Sequence, residues 1–245
     1  RAKAYHAKTF SRNVDKGRME QADADAAAAR LTYHGELKDA SAAEWVVEAA
    51  TENVELKKRI FGEMLEVFGD SVVLATNTSS ISITDIGSVC GDRADRVVGM
   101  HFFNPVPVMK LCEVIKGIAT SDETVDRTIA LAEKMGKTPV PANDRAGFVS
   151  NRVLMPMINE AFHAWMEGVA EPEHIDEIMK LGCNFPMGPL RLADFIGLDV
   201  CHDIMMVLHR ELGDPKYFPN PLLRQLVTAG RLGDKSGRGV YTYGD

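Results

Sequence analysis

Four side chains in this sequence are of types that could move a proton or steady a reacting oxygen: His101, Glu113, Ser79 and Asn151. His101 ends the apolar run "RVVGMH", and Glu113 sits inside a second run, "KLCEVIKG". Strand interiors favour apolar residues, so each needs a reason to be there. A histidine changes charge near neutral pH and can serve as acid or base. A carboxylate beside it would fix its tautomer and stabilise its cation. Plainer readings stand next to this one. A histidine at a strand end can be hydrogen-bonded for structure alone, and a glutamate on an edge strand can be simply solvated. Ser79, in "TNTSS", reads equally as a turn residue, and Asn151, in the first turn of an apolar helix, as a capping or solvated group.

The elements that must position these groups are short apolar segments between helices. "AEWVVEAA" (43–50), "SVVLATNTSS" (71–80), "RVVGM" (96–100) and "KLCEVIKG" (110–117) read as buried strands. "KTPVPA" (137–142) reads as an edge strand, because Pro139 and Pro141 cannot donate to a ladder. Helical patterns cover 1–31, with a break at Lys16-Gly17, then 52–69 and 122–135. A capping box at Ser82 opens a short helix that ends near Cys90-Gly91. This alternation predicts an α/β domain with a mostly parallel sheet over 1–142. Residues 143–245 carry helical periodicity without a strand, with helix starts at Glu171-Pro172 and Asn220-Pro221, and are expected to form an all-α second domain. In open parallel sheets ligands bind beyond the carboxyl ends of the strands. Glu52 and Asn53, then Asn77, Thr78 and Ser79, then His101 and Asn104 fall at such ends. They converge only if the strands are neighbours, and strand order is not written in the sequence.

Composition narrows the function classes. The 245 residues carry a net charge of −7, with 45% hydrophobic and 26% charged residues. That is the balance of an ordinary globular protein, without a basic footprint for nucleic acid or a polybasic membrane patch. No apolar run approaches the roughly 20 residues needed to span a bilayer. The four cysteines form no C-x-x-C pair and have no zinc-ligand spacing, which points to a reducing, cytoplasmic setting and to no metal. No G-x-S-x-G, H-E-x-x-H, Walker A or G-x-G-x-x-G pattern occurs.

Longer blocks are more specific. "NTSSISIT", "GMHFFNPVPVMKLCEVIKG", "GFVSNRVLMPMINEA", "KLGCNFPMGPLRLADFIGLD" and "GDKSGRGVYTY" resemble, in order and through nearly the whole chain, the L-3-hydroxyacyl-CoA dehydrogenase family, and most closely its short bacterial 3-hydroxybutyryl-CoA dehydrogenases. The resemblance implies a Rossmann-like domain followed by a helical domain that closes over the acyl chain and forms a homodimer. It implies reversible hydride transfer between NAD and C3 of an acyl-CoA substrate. It casts His101 as the catalytic base, Glu113 as its carboxylate partner, and Ser79 and Asn151 as supports of the reacting oxygen or of the histidine. It places Glu52, Lys57, Asn77, Ser79 and Asn104 around the nicotinamide and its ribose, and Lys16 near the CoA phosphates. Apolar walls for a short acyl group are expected from the sheet edge and a turn at Met155–Met157.

The family begins with a strand, a Gly-rich turn and a helix that hold the pyrophosphate, then a strand with an acidic residue for the adenosine ribose. About 30–40 residues of that kind have no counterpart here, and the chain starts with Arg, so an N-terminally truncated record is expected. The choice between NAD and NADP falls in that segment, which leaves NADP open. Ala146 stands where the family usually has Pro, which should loosen the interdomain turn. Two alternatives remain: a non-catalytic truncated paralogue that keeps dimerisation or CoA binding, and a dehydrogenase of a free 3-hydroxy acid with Lys110 or Arg152 on the carboxylate.

Overall fold

The computed structural model describes residues 1–244. The chain opens with α1 (Ala2–Asp15) and α2 (Gln21–Ala29), broken at Gly17, which adopts a left-handed φ of 62°. Then come β1 (Trp45–Glu48), α3 (Val54–Val67), β2 (Val73–Thr76), α4 (Ile83–Gly87), β3 (Val97–Phe102), β4 (Leu111–Lys116), α5 (Asp122–Lys134) and β5 (Thr138–Asn143). The sheet order is β1-β2-β3-β4-β5. Three of its pairings are parallel, and β3–β4 is antiparallel. The mostly parallel sheet expected from the alternating pattern is therefore present, and β5 with its two prolines is an edge.

Strand periodicity sorts the side chains into two cores. Val97 and Ile115 face α3 and α4 with Phe61, Met64, Ile83 and Ile86, while Val98, Met100, Cys112 and Val114 face α5. Gly99 interrupts the apolar run of β3 for a steric reason. A Cβ there would lie 2.8 Å from the Ile115 Cβ and 2.9 Å from the Ile83 Cδ1. Helix starts follow their caps: Asn53, Ser82 and Ser121 each accept a backbone N–H from their own first turn.

After β5 the chain is helical: α6 (Ser150–Met166), α7 (Pro172–Cys183), α8 (Pro189–Ile196), α9 (Leu198–Leu212) and α10 (Pro221–Thr228). They share a core built on Met155, Ile158, Phe162, Leu190, Leu198 and Leu208. Met155 is thus core inside α6 rather than part of a turn at an acyl pocket, which corrects that expectation. Apolar spacing inside a helix cannot distinguish the two. The connection between β5 and α6 is pinned at both ends. Asp144 accepts from the Ser82 hydroxyl and the Thr84 N–H, at 2.7 and 2.8 Å. Phe148, at a left-handed φ of 50°, is buried in the sheet-side core, and Ala146 packs against the helical core.

Candidate active site

His101 and Glu113 are register partners across β3 and β4. Because β4 runs antiparallel, its first residues lie beside the last residues of β3. A glutamate early in one strand therefore meets a histidine late in the other, on the same face of the sheet. His101 Nδ1 lies 2.7 Å from Glu113 Oε2, and both residues are buried, 5% and 4% exposed. An ionised carboxylate can only accept, which assigns the proton to Nδ1 and leaves the Nε2 lone pair for a substrate. The rings of Phe103 and Phe148 flank the imidazole, with centroids 4.6 and 5.8 Å away.

Glu113 is held by more than the histidine. Ser150, at the start of α6, donates its backbone N–H to Oε1 at 3.0 Å and its hydroxyl to Oε2 at 2.9 Å. Burial opposes ionisation of this carboxyl, but the hydrogen bonds from His101 and Ser150 outweigh it and hold the group below the usual carboxylate range. Next to Ser150, Asn151 is buried and donates its amide to the Ser79 carbonyl at 2.9 Å. The first turn of α6 therefore joins the loop after β2 to the dyad. No protein partner engages the Ser79 hydroxyl among the described residues, so it is available to a ligand.

Glu52 and Asn77 shape the same edge. Glu52 Oε1 accepts from the Thr78 hydroxyl (2.7 Å), the Ser79 N–H (2.8 Å), and the Ser80 N–H and hydroxyl (3.0 and 3.1 Å). It organises the loop that presents Ser79. Asn77 donates its N–H to the Glu48 carbonyl at 2.7 Å and accepts the Phe102 N–H on Oδ1 at 2.9 Å, which stitches together the ends of β1, β2 and β3. Asn104 is exposed just beyond β3 and lines a cleft of about 580 Å³ with Tyr5, His6 and Phe10 of α1.

Two further expected site residues are lysines. Lys57 is 1% exposed, with its ammonium 2.5 Å from Glu48 Oε2 and 3.3 Å from the Thr76 hydroxyl. That network engages the Lys57 ammonium at the carboxyl ends of β1 and β2, on the same sheet edge as Asn77. Lys16 is exposed at the C-terminal end of α1, and among the described residues no hydrogen bond ties it to the site.

Two features escaped sequence reasoning. Glu48 lies in the apolar run "WVVEAA", the same anomaly that singled out His101, and that anomaly could have flagged its buried network. Burial disfavours its charge, but Lys57, the Ala50 N–H and Thr76 keep it ionised, below the usual carboxylate range. Ser150 carried no such signal, since a serine at a helix start is ordinary.

Residues 1–145 match the 3-hydroxyacyl-CoA dehydrogenase NAD binding domain, and residues 147–243 match the C-terminal domain of the same family. A probable 3-hydroxybutyryl-CoA dehydrogenase of Bacillus subtilis is 55% identical over 236 residues, which is 96% of this chain and 82% of that protein. A probable 3-hydroxybutyryl-CoA dehydrogenase of Deinococcus radiodurans is 51% identical over 243 residues, 99% of this chain and 87% of that one. The crystal structure of (S)-3-hydroxybutyryl-CoA dehydrogenase from Ralstonia eutropha superposes with a TM-score of 0.94 at 51% identity, covering 98% of this chain and 84% of that one. With both halves matched in order and relatives above half identity along almost its full length, this chain belongs to the 3-hydroxyacyl-CoA dehydrogenase family.

Proposed function

We propose that the protein reversibly oxidises the 3-hydroxyl of short-chain L-3-hydroxyacyl-CoA to the 3-oxo group with NAD, and that His101 is its acid–base group. The observation that carries this reading is the buried 2.7 Å bond between His101 and Glu113, which leaves one imidazole nitrogen to exchange a proton with the substrate. Residues suited to the nicotinamide and its ribose are present. Glu52, Asn77, Ser79 and Asn104 offer amides, a hydroxyl and a carboxylate at the ends of β1–β3, a set matched to a neutral carboxamide and to sugar hydroxyls. NAD, when bound, supplies the hydride acceptor. His101 takes the hydroxyl proton, and Glu113 stabilises the imidazolium that forms. The Ser79 hydroxyl and the Asn151 side chain support the reacting oxygen as its charge changes.

Residues 1–142 would serve the cofactor, and residues 143–245 would close over the acyl chain and dimerise. Exposed Val153, Ile178 and Leu181 on α6 and α7, 62–78% accessible, supply an apolar face for a second copy. A cytoplasmic location agrees with four unpaired cysteines, and no helix among the described residues is long and apolar enough to cross a membrane. The intact dyad disfavours a non-catalytic role, because a scaffold has no use for a buried histidine bonded to a buried glutamate. Lys110 and Arg152, the groups a free hydroxy acid would need, are both exposed. Steady-state NADH oxidation with acetoacetyl-CoA and with free acetoacetate tests the reading. Turnover confined to the thioester supports it, and turnover confined to the free acid overturns it.

A further inference from the structure

Ser150 has no part in the reaction just described, yet it makes two hydrogen bonds to the catalytic carboxylate. Its N–H reaches Oε1 at 3.0 Å. Its hydroxyl reaches Oε2 at 2.9 Å, the same oxygen that accepts His101 Nδ1 at 2.7 Å. A buried carboxylate on the sheet is thus gripped by the helical half of the chain. The two donors on Oε2 compete: charge shared with the hydroxyl is charge less available to the imidazolium.

We infer that Ser150 is a positioning residue that, through Glu113 Oε2, fixes the carboxylate against His101 and lowers the proton affinity of the dyad, so that the pair acts as a base down to lower pH. This rests on the reading of His101 and Glu113 as the acid–base pair. Few other groups bear on the carboxylate. β5 sets Val140 opposite Glu113 and offers no titratable side chain over Thr138–Ala142. Glu52 is turned to the 78–80 loop, and Lys137 donates to the Val106 and Met109 carbonyls. Arg152, the charged residue in the first turn of α6, is exposed. Any residue at position 150 other than proline keeps the N–H bond to Oε1, so substitution isolates the hydroxyl.

The test is an NMR titration of the His101 ring in the full 245-residue chain, which needs neither cofactor nor turnover. Thr and Val are close in shape and differ in the hydroxyl, so Ser150→Thr and Ser150→Val are compared with wild type, with Ser150→Ala as the third variant. The Val and Ala variants are expected to take up the dyad's proton about half a pH unit or more above wild type, while the Thr variant stays with wild type. The acid limb of the turnover profile should move the same way. Equal midpoints in wild type and either folded hydroxyl-less variant, or a shift shared by the Thr variant, overturn the inference. An inactive protein would count against the proposed function while the ring titration still decided the role of Ser150.

Discussion

His101 and Glu113 face each other across β3–β4, the one antiparallel pair in the sheet, and their side chains meet at 2.7 Å. A parallel neighbour would have reached this edge only after a crossover of a dozen or more residues. The antiparallel turn delivers the carboxylate after the short loop 103–110, from a strand buried on both faces. The pair is therefore set by the strand register itself.

Replacing the base should stop the chemistry and leave the fold. His101→Ala is expected to lower turnover in NADH oxidation by about 10²- to 10⁴-fold, the range for loss of a general acid–base group. Circular dichroism and NADH binding should stay near wild type. Retained turnover in the folded variant would remove His101 from the role of base.

Glu113→Gln keeps the shape of the carboxylate and removes its charge. Turnover should fall by about 10²-fold or more, because the imidazolium loses its counter-charge. The same variant reads out stability against pH. The folded group titrates below its unfolded value of 4.5, so its contribution is fully present above that value and is lost as pH falls through the folded one. Wild type should therefore lose urea stability below about pH 4.5 more steeply than Glu113→Gln.

The Glu48–Lys57 pair predicts a non-additive cycle. Removing one partner, as in Lys57→Met, strands a buried charge and should cost about 3–5 kcal/mol in urea unfolding. Glu48→Gln combined with Lys57→Met should cost far less than the sum of the single changes. Additive losses would show that the two groups do not depend on each other.

Glu52→Ala removes the acceptor of four hydrogen bonds from residues 78–80. Glu52 is exposed, so the fold should lose little, with a thermal midpoint within a few degrees of wild type. The KM for NADH should rise and kcat fall together, because the loop that presents Ser79 is no longer held. An unchanged KM for NADH would separate Glu52 from the cofactor edge.

The alternation of apolar strands and helices was legible in the sequence because side-chain period and capping chemistry are local. The proline-marked edge at Thr138–Asn143 and the helix starts at Pro172 and Pro221 follow from backbone constraints that single residues impose. The polar residues at strand ends were legible as anomalies in apolar runs. Their roles came from the likeness of longer blocks to a family rather than from spacing. Lys57 shows what that transfer leaves out: its position matches the family, but its partner Glu48 is visible only in the structure.

By itself the sequence determined which segments become strands and helices, which polar groups end them, and to which family the pattern is similar. Only the tertiary structure decided that β3 and β4 pair antiparallel in the register that sets His101 on Glu113, that Ser150 grips the same carboxylate from α6, and that Lys57 closes on Glu48. The physical reason is range. Propensity and periodicity act over a turn or a strand, whereas the partner of a buried charge is chosen by which distant segments must share one dry space.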